Sequence, residues 1–516
     1  MRIPLGAALT VTTASVMLVG TSIAAAATPS QNGRAVIAGT APVSEAAKPT
    51  TLAASTRVQL SVFVGQDQAG LAAAATAVSD PASPSYRHYL SPAQVRARFG
   101  ATAAQQDAVR GWLSSSGLTV THDDGFLISA VGTATKAEAT LQTGLALSRP
   151  ADGAEQVVPS RAMSVPTALA STITTIRIGT ATAVTTPHQP LTASAPAVPG
   201  STAVAASSAE CSAYYGQKPA TDLPKAYGRR INWAPCGYTP TQVRDAYGAT
   251  RSGLTGAGTT VAVLSGYADP TALTDADQWS RQQEIPQFAS GQFTEYDGSD
   301  AGGGSLDENT LDLEAVHGMA PAADVAFVVG GDEIPDDPLL DALNTVVQQH
   351  LAEVVTSSYY EHFMPAPTSM ITSWESVLEQ AALEGITVDT ASGDFGSTQA
   401  LEYPGSDPWV TSVGGTSLAI GTSNDYLWET AWESDPTSLA ADGRGWPVLE
   451  PGTARNIHRG QHRRGLRDVR LALLPGRRGQ REHRERRADA HRAGRVRARR
   501  PEPRRLRDRP DRGGGN

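Results

Sequence analysis

The stretch SLDENTLDLEAVHGMAPAADVAFVV, residues 305–329, places two carboxylates four residues apart. Four residues of α-helix turn through about 400°, so Glu308 and Asp312 stand on one helix face, about one turn apart. There they can share a hydrogen bond, and the chemistry open to such a pair is proton transfer. The plain alternative is a solvated acidic helix face. Asp307 and Glu314 fall on other faces, to meet solvent or basic neighbours. A second constellation is TASGDFGS, residues 390–397, at the end of a predicted strand. Its Asp394 either caps a turn between glycines or, if protonated, donates a hydrogen bond to a developing oxyanion that an ionised carboxylate would repel. A third is VVTSSYYEHF, residues 354–363, which sets Ser358 and Tyr359 at another strand end.

These residues need a scaffold that brings several strand ends together. Apolar strand-like runs occur at 261–264, 325–330, 352–358, 385–392 and 409–415, with helical segments at 309–319, 336–350 and 373–384. Strands separated by helices of this length predict a mostly parallel, doubly wound α/β sheet, whose sites lie beyond the carboxyl ends of its strands. A smaller α/β unit precedes it. RVQLSVFV (57–64) alternates as a strand does, LAAAATAVSD has helix composition, and helices follow at 92–99 and 102–113. LTVTH and GFLISAVG then alternate as strands, and KAEATLQTGL reads as a helix. Between the units, residues 150–207 are rich in Pro, Ala, Thr and Ser and read as an exposed linker, open to cleavage.

The motifs resemble those of the sedolisin/kumamolisin family of serine-carboxyl peptidases. The first unit, through SDPASPSYRHYLSPAQVRARFG (79–100), WLSSSGL (112–118) and the Gly-Thr at 132–133, resembles that family's activation propeptide. YTPTQVRDAYG (238–248), the Glu308/Asp312 helix with its following APAA, and YPGSDPWVTSVGGTSL (403–418) resemble the catalytic domain. The resemblance implies a subtilisin-like doubly wound parallel sheet preceded by a small α/β sandwich propeptide. It implies Glu308 as general base, Asp312 as its orienting partner, Asp394 in the oxyanion hole, and Ser358 and Tyr359 along a cleft that binds extended peptide by strand addition. Tyr360 replaces a small residue of the family there, which would narrow the pocket. An acidic working pH follows from the protonated Asp394. Ser417 looks like the family's nucleophile but follows the YPGSDPWVTSV run, which assigns it to an earlier, structural Gly-Gly-Thr. An ordinary subtilisin would need an Asp where Ser265 and Gly266 stand, and His317 lacks the HGTH context of that family's histidine.

The whole-chain totals of 42 basic and 51 acidic residues hide two different polymers. Residues 451–516 hold 22 Arg, no Lys and 7 acids, a charge of +15, which leaves −24 on residues 1–450. From residue 454 onward strand alternation and any credible core vanish. Clustered arginine can bind phosphates, but the tail has neither lysine nor aromatic residues for stacking, so a nucleic-acid partner is not expected. A shifted reading frame in GC-rich coding DNA accounts for it better, and the nucleophilic serine and the calcium loop that the family carries would be lost with the frame. The first 27 residues read as a secretion signal with an Ala-rich cleavage site, followed by a flexible leader at 28–55, and no later segment is suited to span a membrane. The expectation is a secreted, extracellular chain. In that oxidising setting its two cysteines, Cys211 and Cys236, form one disulfide, or else are two buried thiols.

The resulting expectation divides the chain into a signal (1–27), leader (28–55), propeptide (56–149), linker (150–207), partial peptidase domain (208–453) and non-native tail (454–516). The expected partners are protein or peptide substrates and the chain's own propeptide, acting as inhibitor and chaperone. The competing reading is a non-catalytic secreted peptide binder.

Overall fold

The computed structural model describes residues 28–29, 33–42, 49–148, 156–180, 212–219, 232, 235, 237–296, 306–331, 334, 337–359, 362–363, 366–393 and 402–431. The stretch expected to be an export signal (1–27), Cys211, Cys236, Asp394, Tyr360 and the arginine-rich tail lie outside the described residues.

The first domain is built on strands β1 (Arg57–Val64), β2 (Thr119–Asp123), β3 (Leu127–Thr133) and β4 (Ile173–Thr180), in the antiparallel order β4-β1-β3-β2. Helices α1 (Gln68–Ser79), α2 (Pro92–Phe99), α3 (Ala103–Ser115) and α4 (Ala134–Leu141) connect them. The N-termini of α2 and α3 are fixed by reciprocal capping boxes, Ser91 with Gln94 and Thr102 with Gln105, which satisfy backbone donors that a first helical turn otherwise leaves open. Val58, Leu60, Val62, Ile128, Ala130, Ile176 and Ile178 form the core under α3 and α4.

Two predicted boundaries need correction. Residues 156–180, placed in the linker, supply β4, which pairs with β1 over its length. Part of the predicted flexible leader is also ordered, with Ala35, Ile37 and Leu52 buried against this domain.

The second domain carries a six-stranded sheet that is parallel throughout. Its strands are β5 (Thr260–Ser265), β6 (Phe293–Tyr296), β7 (Asp324–Val329), β8 (Val354–Ser357), β9 (Thr387–Ala391) and β10 (Thr411–Val413), in the order β6-β7-β5-β8-β9-β10. Helices α5 (Pro240–Ala246), α6 (Ala272–Gln282) and α7 (Leu306–Met319) precede or interleave its first strands, and α8 (Pro338–Gln349) and α9 (Thr368–Glu384) lie between the later ones. Alternate residues point to opposite faces of a strand. Val263, Val325, Phe327 and Val329 meet Ala272, Ala276 and Leu313 of α6 and α7. Ala262, Leu264, Ala326 and Val328 meet α8 and α9. Covering both faces in this way is what a parallel sheet requires, and the fold is α/β with a doubly wound parallel sheet. A two-stranded antiparallel ribbon, β11 (Thr416–Ile420) with β12 (Tyr426–Ala431), follows. Among the described residues no helix is long and apolar enough to cross a membrane.

The first domain sits on the outer face of α8 and α9. Phe63 and Leu127 enter the same core as Leu343, Val347 and Trp374, while Leu383 of α9 inserts among Leu71, Val78, Val95 and Phe126. At the centre Arg177 of β4, 7% exposed, donates from Nη1 to Asp337 Oδ2 at 2.7 Å and to Ser373 Oγ at 3.3 Å. Asp337 is fully buried; its Oδ2 also accepts from Trp374 Nε1 at 2.8 Å and its Oδ1 caps α8 through Leu340 N–H at 3.0 Å. Gln68 Nε2 donates to Glu379 Oε2 at 2.9 Å, and Asn344 Nδ2 to Asp124 Oδ2 at 3.0 Å.

Breaking a buried pair from one side leaves an uncompensated charge, at a cost of about 3–5 kcal/mol. Arg177→Met is expected to lower the stability of the joined domains by an amount of that order in urea unfolding, and an unchanged midpoint would contradict the buried pairing. Burial also pushes Glu379 and Glu384 up to about 8. Folding therefore takes up protons at these sites, and the stability they contribute is full below about pH 4.5, declines as pH rises, and is lost through about pH 8. The double variant Glu379→Gln/Glu384→Gln is expected to flatten that decline; a parent whose stability rises over the same window, with no change in the variant, would refute it.

Candidate active site

A helix that leads into a strand of a parallel sheet runs against the strands, so its first turn lies over their carboxyl ends. Helix α7 leads into β7 in this way, and Glu308 sits in its first turns. At the same edge β5 ends at Ser265, β8 ends at Ser357 beside Ser358, and β9 ends at Ala391, three residues before Asp394. Neighbours β5 and β8 are also where the strand order turns about, the position at which open α/β sheets place their sites. Gly393, at φ 94°, is needed here: a Cβ would come within 2.7 Å of Glu402 Cδ.

Glu308 is half-buried and Asp312 is 8% exposed. Asp312 Oδ1 accepts the Ser358 hydroxyl at 2.6 Å, while its buried Oδ2 has no partner among the described residues. Burial pushes the Asp312 carboxyl up to about 7 and the nearby Glu308 charge adds to the rise, against the lowering effect of the Ser358 hydrogen bonds. Near neutral pH Asp312 therefore holds a proton about half the time. Such a pair can take up and hand on a proton at the carboxyl edge of the sheet.

The structure brings Glu308, Asp312 and Ser358 together and gives Ser358 a partner the sequence does not reveal. Tyr359, predicted along the cleft wall, is corrected: it is 1% exposed and its hydroxyl donates inward to Asn309 Oδ1 at 2.9 Å. Burial raises its phenol above the ordinary range, with the charges of Asp312, Glu308 and Asp269 adding to the rise. Asp269, missed in the sequence, is 1% exposed; its Oδ1 accepts from Thr271 N–H at 3.0 Å, and its Oδ2 has no partner among the described residues. Only its place after β5 could have signalled it. Glu314, expected to meet solvent or basic neighbours, is partly exposed and lies near Asp275; burial first, then that charge, raises its carboxyl. His317 is fully buried, stacks on Phe288 at 4.0 Å and donates from Nε2 to the Pro286 carbonyl at 2.7 Å, a packing role. Ser417 pairs with Thr430 in the β11–β12 ribbon, and a second Gly-Thr-Ser at 421–423 forms that ribbon's turn, so neither serine belongs to the parallel sheet. Among the described residues no group of three or more His, Cys, Asp or Glu side chains is placed to hold a metal ion. They do not fit a calcium loop, and no step below passes through a metal.

The model of the pro-kumamolisin activation domain matches residues 44–182, which includes β4. Sedolisin of Pseudomonas sp. (strain 101) is 25% identical over 412 residues, covering 75% of this chain and 64% of that protein. A tripeptidyl-peptidase of Aspergillus fumigatus is 24% identical over 388 residues, covering 69% and 60%, and xanthomonalisin of Xanthomonas sp. (strain T-22) is 24% identical over 399 residues, covering 70% and 45%. The chain is thus similar to the sedolisin family, its first domain to the activation domain and most of its length to the peptidases. It spans less than two thirds of the length of these sedolisin-family relatives. Among solved structures, Pseudomonas sedolisin complexed with pseudo-iodotyrostatin aligns with a TM-score of 0.34 at 22% identity, covering 41% of this chain and 68% of that one.

Two substitutions should move Asp312 in opposite directions. Glu308→Gln removes a neighbouring charge and is expected to lower the Asp312 midpoint below about 7; Ser358→Ala removes a bond that favours the ionised form and is expected to raise it. Titration followed on ¹³C-labelled side-chain carboxyls reads both. Shifts of the same sign, or none, would show that Glu308 and Ser358 do not act on Asp312 as described.

Proposed function

We propose that this sedolisin relative derives from a secreted serine-carboxyl endopeptidase that works at acidic pH after its first domain is removed. The observation that carries the reading is Asp312, buried beside Glu308 at the carboxyl edge of the sheet with its carboxyl held up to about 7. In the proposed reaction a serine hydroxyl attacks the peptide carbonyl and its proton passes to the Glu308 carboxylate, which returns it to the leaving amine. Water then hydrolyses the acyl-enzyme by the same route. Asp312 keeps Glu308 oriented, and Asp394, in its protonated form, donates to the oxyanion. Ser358, at the end of β8, lies where its backbone can take an extended peptide beside the sheet, while its hydroxyl is engaged by Asp312.

We further propose that residues 454–516 are read out of frame and that the nucleophilic serine belongs to the in-frame sequence, so that the chain as printed is inactive. The exposed edge strand β10 supports this, because parallel sheets are otherwise covered. The Cys211–Cys236 disulfide is proposed on the same footing: the adjoining residues Ser212 and Pro235 form a parallel bridge. A secreted peptide binder that never catalysed is the second reading.

Sequencing of the gene across codons 452–459 is expected to reveal an alternative frame that encodes a Gly-rich loop and a further Gly-Thr-Ser. The frame-restored protein should cleave peptides at about pH 4, and Glu308→Gln should abolish that cleavage. Cleavage by the chain as printed, or full activity in the Glu308→Gln variant, would overturn the reading.

A further inference from the structure

Asn309 follows Glu308 directly and is 1% exposed. A buried carboxamide needs partners for both its oxygen and its nitrogen, and this one finds them on the two strands that flank the turnabout of the sheet. Its Oδ1 accepts from Ser265 Oγ, the last residue of β5, at 2.8 Å and from the Tyr359 hydroxyl, just past β8, at 2.9 Å. Its Nδ2 donates to the Tyr267 carbonyl at 3.3 Å. Ser265 completes the ring by accepting from Tyr267 N–H at 3.0 Å. One hydroxyl proton serves one acceptor, so with Ser265 donating to Asn309, the Tyr267 carbonyl is left to Asn309 Nδ2.

We propose that Asn309 is a positioning residue: it pins the first turn of α7 to the ends of β5 and β8, and so holds Glu308 toward the open edge and Asp312 against Ser358. The inference rests on Glu308 and Asp312 being the working pair, and it deepens that reading by naming what sets their geometry. A helix has one rotational freedom about its axis that packing of small side chains restrains weakly. Leu313, fully buried one residue beyond Asp312, holds α7 to the sheet by its apolar side. The three hydrogen bonds of Asn309 add a directional restraint one turn earlier on the same face, one residue from the group it must aim. Ser358 reports on the result, because its 2.6 Å contact with Asp312 spans from β8 to α7 and survives only while the helix keeps its angle.

The test uses the full chain and needs no catalysis. The side-chain carboxyl of Asp312 is titrated in the parent, in Asn309→Leu, and in the milder Tyr359→Phe and Ser265→Ala, with circular dichroism as the measure of folding. Each variant removes bonds to the ring, and the mild ones leave the packing carbon atoms in place. In the folded variants the Asp312 midpoint is expected to fall by one pH unit or more toward the ordinary aspartate value, with Asn309→Leu showing the largest effect: water reaching the carboxyl relieves burial, the first cause of the rise, and outweighs the upward effect of a weakened Ser358 bond. Folded Tyr359→Phe and Ser265→Ala proteins that titrate as the parent does would overturn the proposal. Loss of folding in these mild variants would overturn it too, because the ring would then be a requirement of the fold and not a device that aims the pair. The result is separable from the peptidase reading: survival of cleavage after Glu308→Gln would sink that reading and leave the titration standing, while an unmoved titration sinks only the positioning role.

Discussion

A carboxyl group buried one helical turn from another is an unfavourable placement, and much of the second domain can be understood as what makes it tolerable. Asp312 has left water with one oxygen bonded to Ser358 and the other without a partner among the described residues. Burial of that kind disfavours the charged form, so the group keeps its proton into the range where an ordinary aspartate has lost it. The placement itself follows from topology. In a parallel sheet every connecting helix returns against the strands, and α7 therefore delivers its first turn to the edge where β5 and β8 end. The sheet's apolar alternation fixes the strands, Leu313 fixes the helix on them, and the polar ring around Asn309 fixes its angle.

The same physics governs the join between the two domains. Arg177 and Asp337 would each be costly to bury alone, and each makes the other acceptable. Asp337 also caps α8 and accepts from Trp374, so the arginine of the first domain completes a polar cluster that belongs mainly to the second. An activation domain attached in this way is a structural complement of the domain it covers. Its removal would bare α9 around Leu383 and take Arg177 away from Asp337, a marked change in the surroundings of two helices that back the sheet.

How much of this could be read in the sequence depended on the range of the interactions. Five of the six strands of the parallel sheet and its later helices were legible because apolar periodicity is local, and the Glu308/Asp312 spacing was legible for the same reason. Strand β4 was not. Its isoleucines at 173, 176 and 178 lose the period of two where the ladder shifts register between Ile173 and Thr175, and Arg177 in their midst reads as solvent-facing until Asp337, 160 residues away, is known. The short strand β6 sits at an edge with only four residues. At the site, the motif resemblance indicated which acids matter, but their environment came from partners distant in the chain. Neither the burial of Tyr359 nor the use of Ser358 by Asp312 has a local signal, and Asn309 looks like any polar residue of an exposed helix face until the ends of β5 and β8 close around it.

The central claim is that the buried member of the carboxyl pair carries a proton where a free aspartate would not. Neutron diffraction from crystals of the deuterated chain at about pH 6 would locate that proton directly. The account predicts a deuteron on the Asp312 carboxyl, below its midpoint of about 7. A bare, fully ionised Asp312 in those crystals would contradict it.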